Sequence, residues 1–177
     1  TGQVGIDLGC KDAAVSSEGD QLQIKVTHQY AEKLAIAQRA KNKKRVKVIH
    51  AKIKNTRQDL IHKFTSKLVK ANSLIVVGKI KSNSFTSSKL AKSVYDAGWF
   101  EIKRQLAYKC ENAGCHYIEV NEAYTTQTCS CCGSRQDSPK GREGLGIRAW
   151  FCRSCKTTHN RDVNGAKNIL AVGLGRL

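Results

Sequence analysis

Two pairs of cysteines constrain the fold of this 177-residue chain more than any other feature. Each pair has the spacing C-x2-C, at Cys129 and Cys132 and again at Cys152 and Cys155, and 19 residues separate the pairs. This spacing is typical of a four-thiolate zinc site, in which two short turns each supply two ligands to one tetrahedral ion. The sequence therefore predicts a small zinc ribbon over residues 127–158, with a structural Zn2+.

Neighbouring residues suit such a ribbon. Gly133 would allow the tight turn after the first pair, and Trp150 and Phe151 are expected to pack the ribbon. Cys131 lies between the predicted ligands Cys129 and Cys132. We interpret it as a cysteine that does not bind the zinc ion, although it could replace one of these ligands. Cys110 continues a helical apolar stripe, which predicts a buried core thiol.

The apolar pattern outside the ribbon predicts a mixed α/β domain. Three short strands come first, followed by helices that alternate with buried strands. This order is that of the RNase H-like plan. The expected strands cover 3–9, 12–17, 21–27, 74–80 and 116–120, and the expected helices cover 31–71, 89–112 and 162–172, with a polar loop at 81–88.

The charge of the chain is strongly positive. It has 31 Lys and Arg against 14 Asp and Glu, a formal net charge of +17. Nine of the basic residues fall between Arg39 and Arg57, where there is no acid. Such a cluster favours a polyanionic partner, although a basic helix face can also be only a solvated surface. No apolar run is long enough to predict a membrane span.

Two aspartates stand in unusual places. Asp7 lies within an apolar strand between Gly5 and Gly9, and Asp162 follows the ribbon at the start of the last predicted helix. Each has an ordinary interpretation, as a strand-end turn or as an acid at a helix N-terminus. However, burying an acid in a strand is costly unless it pairs or binds a metal ion.

Four motifs together resemble the TnpB family of transposon-associated RNA-guided nucleases, which are related to type V CRISPR effectors. They are Gly5-Ile6-Asp7-Leu8-Gly9, the run from Tyr124 to Gly133, the run from Trp150 to Cys155, and the run from Asn160 to Ile169. The resemblance implies a RuvC domain of RNase H-like fold over residues 1–126. It also implies that the zinc ribbon is inserted at 127–158 and that the domain closes with a final segment and helix at 159–177.

The resemblance further implies an Mg2+-dependent DNA endonuclease with guide RNA and target DNA as partners. The expected location is the prokaryotic cytoplasm, in association with the nucleoid and not with a membrane. The chain has no methionine. In this family an N-terminal half that binds RNA and DNA precedes the matched region, so we expect such a half before residue 1.

Family members hold two Mg2+ ions with three acids, and the resemblance assigns the first to Asp7 and the third to Asp162. The second is normally a glutamate at the end of the fourth strand, where this chain has Gly78. The chain also has Asn160 where an Asp is frequent, a change we expect to be harmless. Two carboxylates hold a pair of ions poorly.

Glu122 follows the fifth strand, which is expected to lie parallel to the fourth. We therefore predict that Glu122 replaces the missing ligand, giving Asp7, Glu122 and Asp162 as both metal ligands and catalytic residues. Glu119 and Glu101 are weaker substitutes. The alternative is that Glu122 is an ordinary loop acid and that the protein is a nuclease-dead, RNA-guided DNA-binding repressor.

Overall fold

The computed structural model of the chain describes residues 2–80, 98–140 and 143–176. Its strands and helices alternate as in a mixed α/β domain, and a short 3-10 turn lies at Glu143–Gly146. In chain order the elements are β1 Gly2–Leu8, β2 Ala14–Ser16, β3 Gln21–Leu22, α1 Val26–Arg39, α2 Lys43–Ala71, β4 Asn72–Gly78, α3 Trp99–Ala113, β5 His116–Val120, β6 Ala149–Cys152, β7 Thr157–Asn160 and α4 Arg161–Gly173.

The main sheet has five strands in the order β3-β2-β1-β4-β5. β1 and β2, and β2 and β3, pair antiparallel, whereas β4 pairs parallel with both β1 and β5. The expected mixed sheet is therefore confirmed. Because β1, β4 and β5 are parallel, their carboxyl ends lie at one edge, and Gly78 stands opposite Val120 there.

The two faces of this sheet pack against different helices. Ile6, Ile75 and Val77 belong to the core that includes buried side chains of α2 and α3, such as Ile61 and Leu106. The residues between them along the strands face the other way, since side chains alternate along a strand.

The opposite face of the sheet is covered by α4. A side chain at Gly5 would collide with the carbonyl oxygen of Ala166, and one at Gly173 would lie 2.6 Å from Val76. Glycine is required at both positions because helix and sheet approach so closely. Gly5 of β1 and Val76 of β4 are register partners on this face. Asp7 and Gly78 each lie two residues further along the same strands and therefore on the same face. The face against α4 is thus also the face that carries Asp7.

Two expected elements differ from those observed. The predicted strand 21–27 is wrong beyond Leu22, because Val26 begins α1 and is buried against Ile49 and Ile53 of α2. The single helical stretch 31–71 is two helices, which separate at Lys41, where φ is +51°. Asn42 then caps α2 by accepting a hydrogen bond from the Arg45 amide at 2.9 Å.

The other helical expectations hold with small shifts. The last helix is observed as α4, and Gly114 caps α3 with φ +67°, as expected. Gly98 is the N-cap of α3, and the loop 81–88 and the start of the expected helix 89–112 lie outside the described residues. None of the helices in the described ranges combines the length and the apolar character that crossing a membrane requires.

The cysteine-rich segment forms its own small sheet, in which β6 and β7 pair antiparallel. Gly133 has φ +74°, which confirms the predicted tight turn. Trp150 is buried, as predicted, but Phe151 is 51% exposed. The prediction for Phe151 is wrong because successive residues of a strand point to opposite faces, and only one face of this ribbon is covered.

Candidate active site

Three acids of the sequence analysis lie around one cleft at the carboxyl edge of the sheet. Asp7 comes from β1, Glu122 from just after β5, and Asp162 from the first turn of α4. All three line a cleft of about 450 Å3. The two segments that carry Asp7 and Glu122 are brought to the same edge by their parallel pairing with β4, which lies between them.

Glu122 occupies the space that a side chain at position 78 would need. A Cβ atom built on Gly78 would lie 2.6 Å from the Glu122 Oε2 atom and 3.3 Å from the Glu122 Cβ atom. It would also lie 3.0 Å from Ile169 of α4. The carboxylate of Glu122 therefore reaches back over the end of β4, beside the backbone of Gly78.

The alternation of side chains explains why Glu122, and not Glu119, reaches the cleft. Gly78 and Val120 are register partners at the ends of β4 and β5. Glu122 comes two residues after Val120, so the alternation of side chains places it on the same face as Val120. Glu119 lies on the opposite face and forms an ion pair with Lys103 of α3 at 2.9 Å. Its other oxygen accepts a hydrogen bond from the Tyr117 hydroxyl at 2.8 Å.

Glu101 is also engaged away from the cleft. It lies in the first turn of α3 and accepts hydrogen bonds from Arg104 at 2.8 Å and 2.9 Å and from Gln105 at 2.8 Å. Neither Glu101 nor Glu119 is among the residues that line the cleft.

The electrostatics of the cleft are those of crowded acids. Burial, together with the nearby carboxylates of Glu122 and Asp162, raises the pKa of Asp7 to about 8, against the opposing effect of Arg161 and Arg148. Burial also raises the pKa of Glu122. Without a cation, Asp7 thus retains its proton at neutral pH. Hard oxygen donors that repel one another in this way fit divalent cations such as Mg2+, which would offset the repulsion.

Arg148 is a residue of the cleft whose role the sequence analysis missed. Its Nη1 atom donates to both oxygens of Asp162, at 2.6 Å and 2.5 Å. Arg148 directly precedes β6, and its carbonyl accepts a hydrogen bond from the Arg161 amide at 2.7 Å. The sequence showed it only as one of several basic residues near the ribbon.

Asn160 holds Asp162 in place from the other side. Its Oδ1 atom accepts hydrogen bonds from the amides of Asp162 at 3.0 Å and Val163 at 3.1 Å, which caps α4. An aspartate would cap the helix through the same oxygen. Asparagine at this position therefore keeps the cap, and its harmlessness for activity stays a prediction.

The four paired cysteines form a compact cluster. Their Sγ atoms all lie within 4.8 Å of one another. The Cys129–Cys155 and Cys132–Cys152 distances are both 3.6 Å. Four thiolates about 2.3 Å from one tetrahedral ion would be separated by about 3.8 Å, whereas a disulfide needs about 2 Å. The donor set therefore fits Zn2+.

His159 lies beside this cluster. Its Nε2 atom is 3.1 Å from the Cys129 Sγ atom, and its ring packs against Trp150 with 4.7 Å between centroids. His159 also forms a second possible ligand group with Cys129 and Cys131. Burial raises the pKa of the Cys129 thiol to about 12, so a cation is needed to hold it as a thiolate near neutral pH.

Two buried asparagines of α4 join the ribbon to the sheet domain. Asn168 donates to the carbonyls of Thr125 at 2.7 Å and Thr128 at 2.6 Å. Asn164 donates to the Thr128 carbonyl at 2.7 Å and accepts from the Ser130 amide at 2.9 Å. We call this pair the asparagine bracket. Two polar residues four positions apart on a largely apolar helix face were the available sequence signal for it.

An RNase H-like sheet with acids at its carboxyl edge, joined to a four-cysteine ribbon, is the architecture of a RuvC-type domain. Residues 99–169 match the family model described as Cas12f1-like, TNB domain. A candidate RNA-guided DNA endonuclease of Streptomyces pristinaespiralis is 32% identical over 98% of the chain and 46% of its own length. The candidate RNA-guided DNA endonuclease InsQ of Escherichia coli K12 is also 32% identical, over 96% of the chain and 48% of its own length.

The fold agrees with these sequence matches. In a structure of a Cas12f1–sgRNA–target DNA complex, one chain superimposes with a TM-score of 0.72, covering 95% of this chain and 49% of that one at 19% identity. The chain belongs to the TnpB family, which confirms the resemblance seen in the sequence. It spans about half the length of the curated relatives it matches.

Proposed function

We propose that the chain is the nuclease portion of an RNA-guided DNA endonuclease in which Glu122 supplies the metal ligand absent at Gly78. The proposed domain comprises 1–126 and 159–177, with the zinc ribbon of 127–158 inserted. The matched relatives named above carry RNA-guided endonuclease names, which supports guide RNA and target DNA as partners.

The position of the Glu122 carboxylate is the observation that carries this proposal. The Glu122 Oε2 atom lies 2.6 Å from the position that a Cβ atom at residue 78 would take. The carboxylate therefore occupies space that a glutamate at 78 would use. Moving the acid from β4 to the end of β5 also requires a small residue at 78. The glycine and the glutamate are therefore two parts of one rearrangement.

In this proposal Asp7, Glu122 and Asp162 hold two Mg2+ ions. Bound Mg2+ would orient the attacking water and stabilise the leaving oxygen of the phosphodiester. Asp7 must release its proton before it can act as a ligand, since its pKa is raised to about 8. Asp162 must share its oxygens with Arg148, whose guanidinium is then placed to contact a phosphate.

The Arg148–Asp162 ion pair also favours a second candidate function. An arginine on both oxygens of Asp162 supplies positive charge where a metal ion would otherwise be needed. A protein in which this pair persisted would bind guide RNA and target DNA without cutting, and would act as a repressor. The experiment below separates the two functions.

The test uses the protein purified with its co-expressed RNA and compares DNA cleavage in Mg2+ by the wild type and by Glu122→Ala, Gly78→Glu and the double variant. We expect Glu122→Ala to lose at least about 100-fold in rate, since even residues that only support metal ligands cost 10–100-fold. Gly78→Glu alone should be impaired, because the new side chain displaces Glu122. The double variant should recover activity, because the acid returns to the fourth strand.

Glu119→Ala is the matched control, because this acid lies three residues from Glu122 but pairs with Lys103 on the other face. It should cut at the wild-type rate. Equal cutting by the wild type and Glu122→Ala would overturn the role of Glu122. A wild type that binds its DNA target and never cuts it would establish the repressor function instead.

A further inference from the structure

An exposed tyrosine lies in the turn between two residues of the acid cleft, Glu122 and Thr125, in an unfavourable backbone conformation. Tyr124 has φ +65° and is 57% exposed. Few non-glycine residues adopt positive φ, and the strain persists only when the surrounding structure imposes it. An exposed aromatic ring at such a position gains little from burial, so its presence points to a role outside the fold.

The turn that holds Tyr124 also shapes the cleft. The Tyr124 carbonyl accepts hydrogen bonds from the Gln127 amide at 2.9 Å and from the amide and hydroxyl of Thr128, both at 3.0 Å. On the other side, the Glu122 carbonyl accepts from the Thr125 amide at 3.1 Å and hydroxyl at 2.8 Å. Glu122 and Thr125 line the cleft, so the turn that carries Tyr124 is held at the cleft on both sides of this residue.

Arg135 of the ribbon stacks on this ring. Its guanidinium carbon lies 4.2 Å from the centroid of the Tyr124 ring, within the range of a cation–π contact. Arg135 follows Ser134, whose carbonyl accepts a hydrogen bond from the Cys129 amide at 2.9 Å. The first cysteine turn thus positions the arginine, and the result is an exposed stack of one aromatic ring and one guanidinium plane.

The charge of the chain favours a polyanion. The stack carries the positive charge of Arg135, Lys11 and Arg161 stand beside the acids of the cleft, and the whole chain carries a formal charge of +17. Basic proteins bind single-stranded nucleic acid by means of exposed aromatic rings and arginine planes, since every base offers a flat π face. A paired base has its faces covered by its neighbours, so the stack selects an unpaired one.

We propose that Tyr124 and Arg135 form a stacking platform for an unpaired base of the DNA strand that enters the acid cleft. This inference rests on the proposed nuclease function for its choice of DNA. The platform holds one base beside the cleft, which positions the adjacent phosphodiester near Asp7, Glu122 and Asp162. It acts on binding and positioning, and it takes no part in the bond-breaking step.

The test measures binding of a short fluorescent single-stranded oligodeoxynucleotide to the full zinc-loaded chain, without Mg2+ so that nothing is cut. Tyr124→Asn is the decisive variant, because asparagine suits positive φ and removes the ring without adding strain. We expect it to fold as well as the wild type and to bind about 10-fold more weakly. Tyr124→Phe keeps the ring and should bind as the wild type does, and Arg135→Ala should show a smaller loss.

A base-deletion scan identifies stacking directly. Single abasic sites are moved along the oligonucleotide, and at one position the loss of the base should weaken the wild type by the same factor as Tyr124→Asn. The two changes together should then cost no more than either alone. Equal binding by the wild type and Tyr124→Asn, or identical abasic profiles for both, would overturn the proposal.

Two further measurements separate the stacking proposal from an RNA-binding role and from the proposed nuclease function. If Tyr124→Asn weakens the binding of single-stranded RNA but leaves the binding of single-stranded DNA unchanged, the platform binds RNA and the assignment to DNA is wrong. If the abasic profile is as expected while the RNA-loaded protein never cuts DNA, the platform stands and only the nuclease function fails.

Discussion

The cysteine cluster and the acid cleft are two candidate metal sites built in opposite ways. The four Sγ atoms come from one segment of the chain and lie within 4.8 Å of one another. The three acids come from β1, the end of β5 and α4, and among the described residues they do not close into such a group. The ribbon brings its ligands together by local turns, whereas the cleft depends on the whole sheet.

The difference agrees with the role proposed for the ion at each site. A structural ion is enclosed by four ligands, and the fold around it is complete only when it is bound. A pair of catalytic ions about 4 Å apart needs ligands spread along a cleft, with room for a substrate. We therefore expect loss of zinc to cost mainly stability, and loss of an acid to cost mainly activity.

The largest expected effect is that of removing zinc. Cys152→Ser should abolish stoichiometric zinc binding and unfold the ribbon, because structural zinc supplies roughly 10–16 kcal/mol to small modules of this kind. The change can be followed by metal analysis and by the near-ultraviolet signal of Trp150, which is buried beside the cluster. The five-stranded sheet should remain folded, since its core lies elsewhere.

Cys131→Ser provides the matched control. Cys131 is exposed and lies next to Cys132, but it is outside the four-cysteine group. The variant should keep one zinc ion per chain and the wild-type Trp150 signal. If Cys131→Ser lost zinc and Cys152→Ser retained it, the second ligand group with His159 would be the true site, and the four-cysteine site would be wrong.

The second effect is a dependence of stability on pH that arises at Asp7. Its pKa is about 8 in the folded, metal-free protein and about 3.9 in an unfolded chain. Between these values the folded state retains a proton that the unfolded state has lost. The stability contributed by this group is therefore lost as pH rises from about 4 to about 8.

Asp7→Asn cannot ionise and should remove this dependence. Near pH 9 we expect the variant to exceed the wild type in unfolding free energy by roughly 3–5 kcal/mol, and near pH 4 to match it. Denaturant titrations across this range measure the difference. Saturating Mn2+ should stabilise the wild type at high pH and leave the variant unchanged, and parallel pH curves for the two proteins would show that Asp7 is not the group responsible.

The parts of the structure that were predicted correctly are those with a local signal. The cysteine spacing predicts the cluster, and the apolar runs 74–80 and 116–120 predict β4 and β5 within two residues. The strand predicted beyond Leu22 failed because its alternation of apolar residues was short. Val26 instead joins a helix that packs on α2, a contact that no local pattern reveals.

The cleft could be predicted only in part. Parallel strands ending at one edge place Glu122 near Gly78, and this much follows from strand order. The contact of Arg148 with Asp162 and the stack of Arg135 on Tyr124 could not be foreseen. Both join the ribbon to the rim of the cleft, and their geometry depends on how the inserted segment folds back on the sheet.

The asparagine bracket gives the smallest and most discriminating prediction, because it lies between the two regions. Asn168→Ala removes the two donors to the carbonyls of Thr125 and Thr128, which leads to a loss of about 1–3 kcal/mol in unfolding free energy. Lys167→Ala, one residue away on the exposed side of α4, should stay within about 0.5 kcal/mol of the wild type.

Zinc release tells whether the bracket supports the ribbon or only the helix. The loop from Thr125 to Thr128 leads directly into the first cysteine turn, so loosening it should speed the loss of zinc to a chelator in Asn168→Ala and not in Lys167→Ala. An unchanged release rate, together with the expected loss of stability, would mean that the cluster is held by its own turns alone. Zinc retention would then be independent of the Asn168 contacts, and Asn164 and Arg148 would be the residues that join the ribbon to α4.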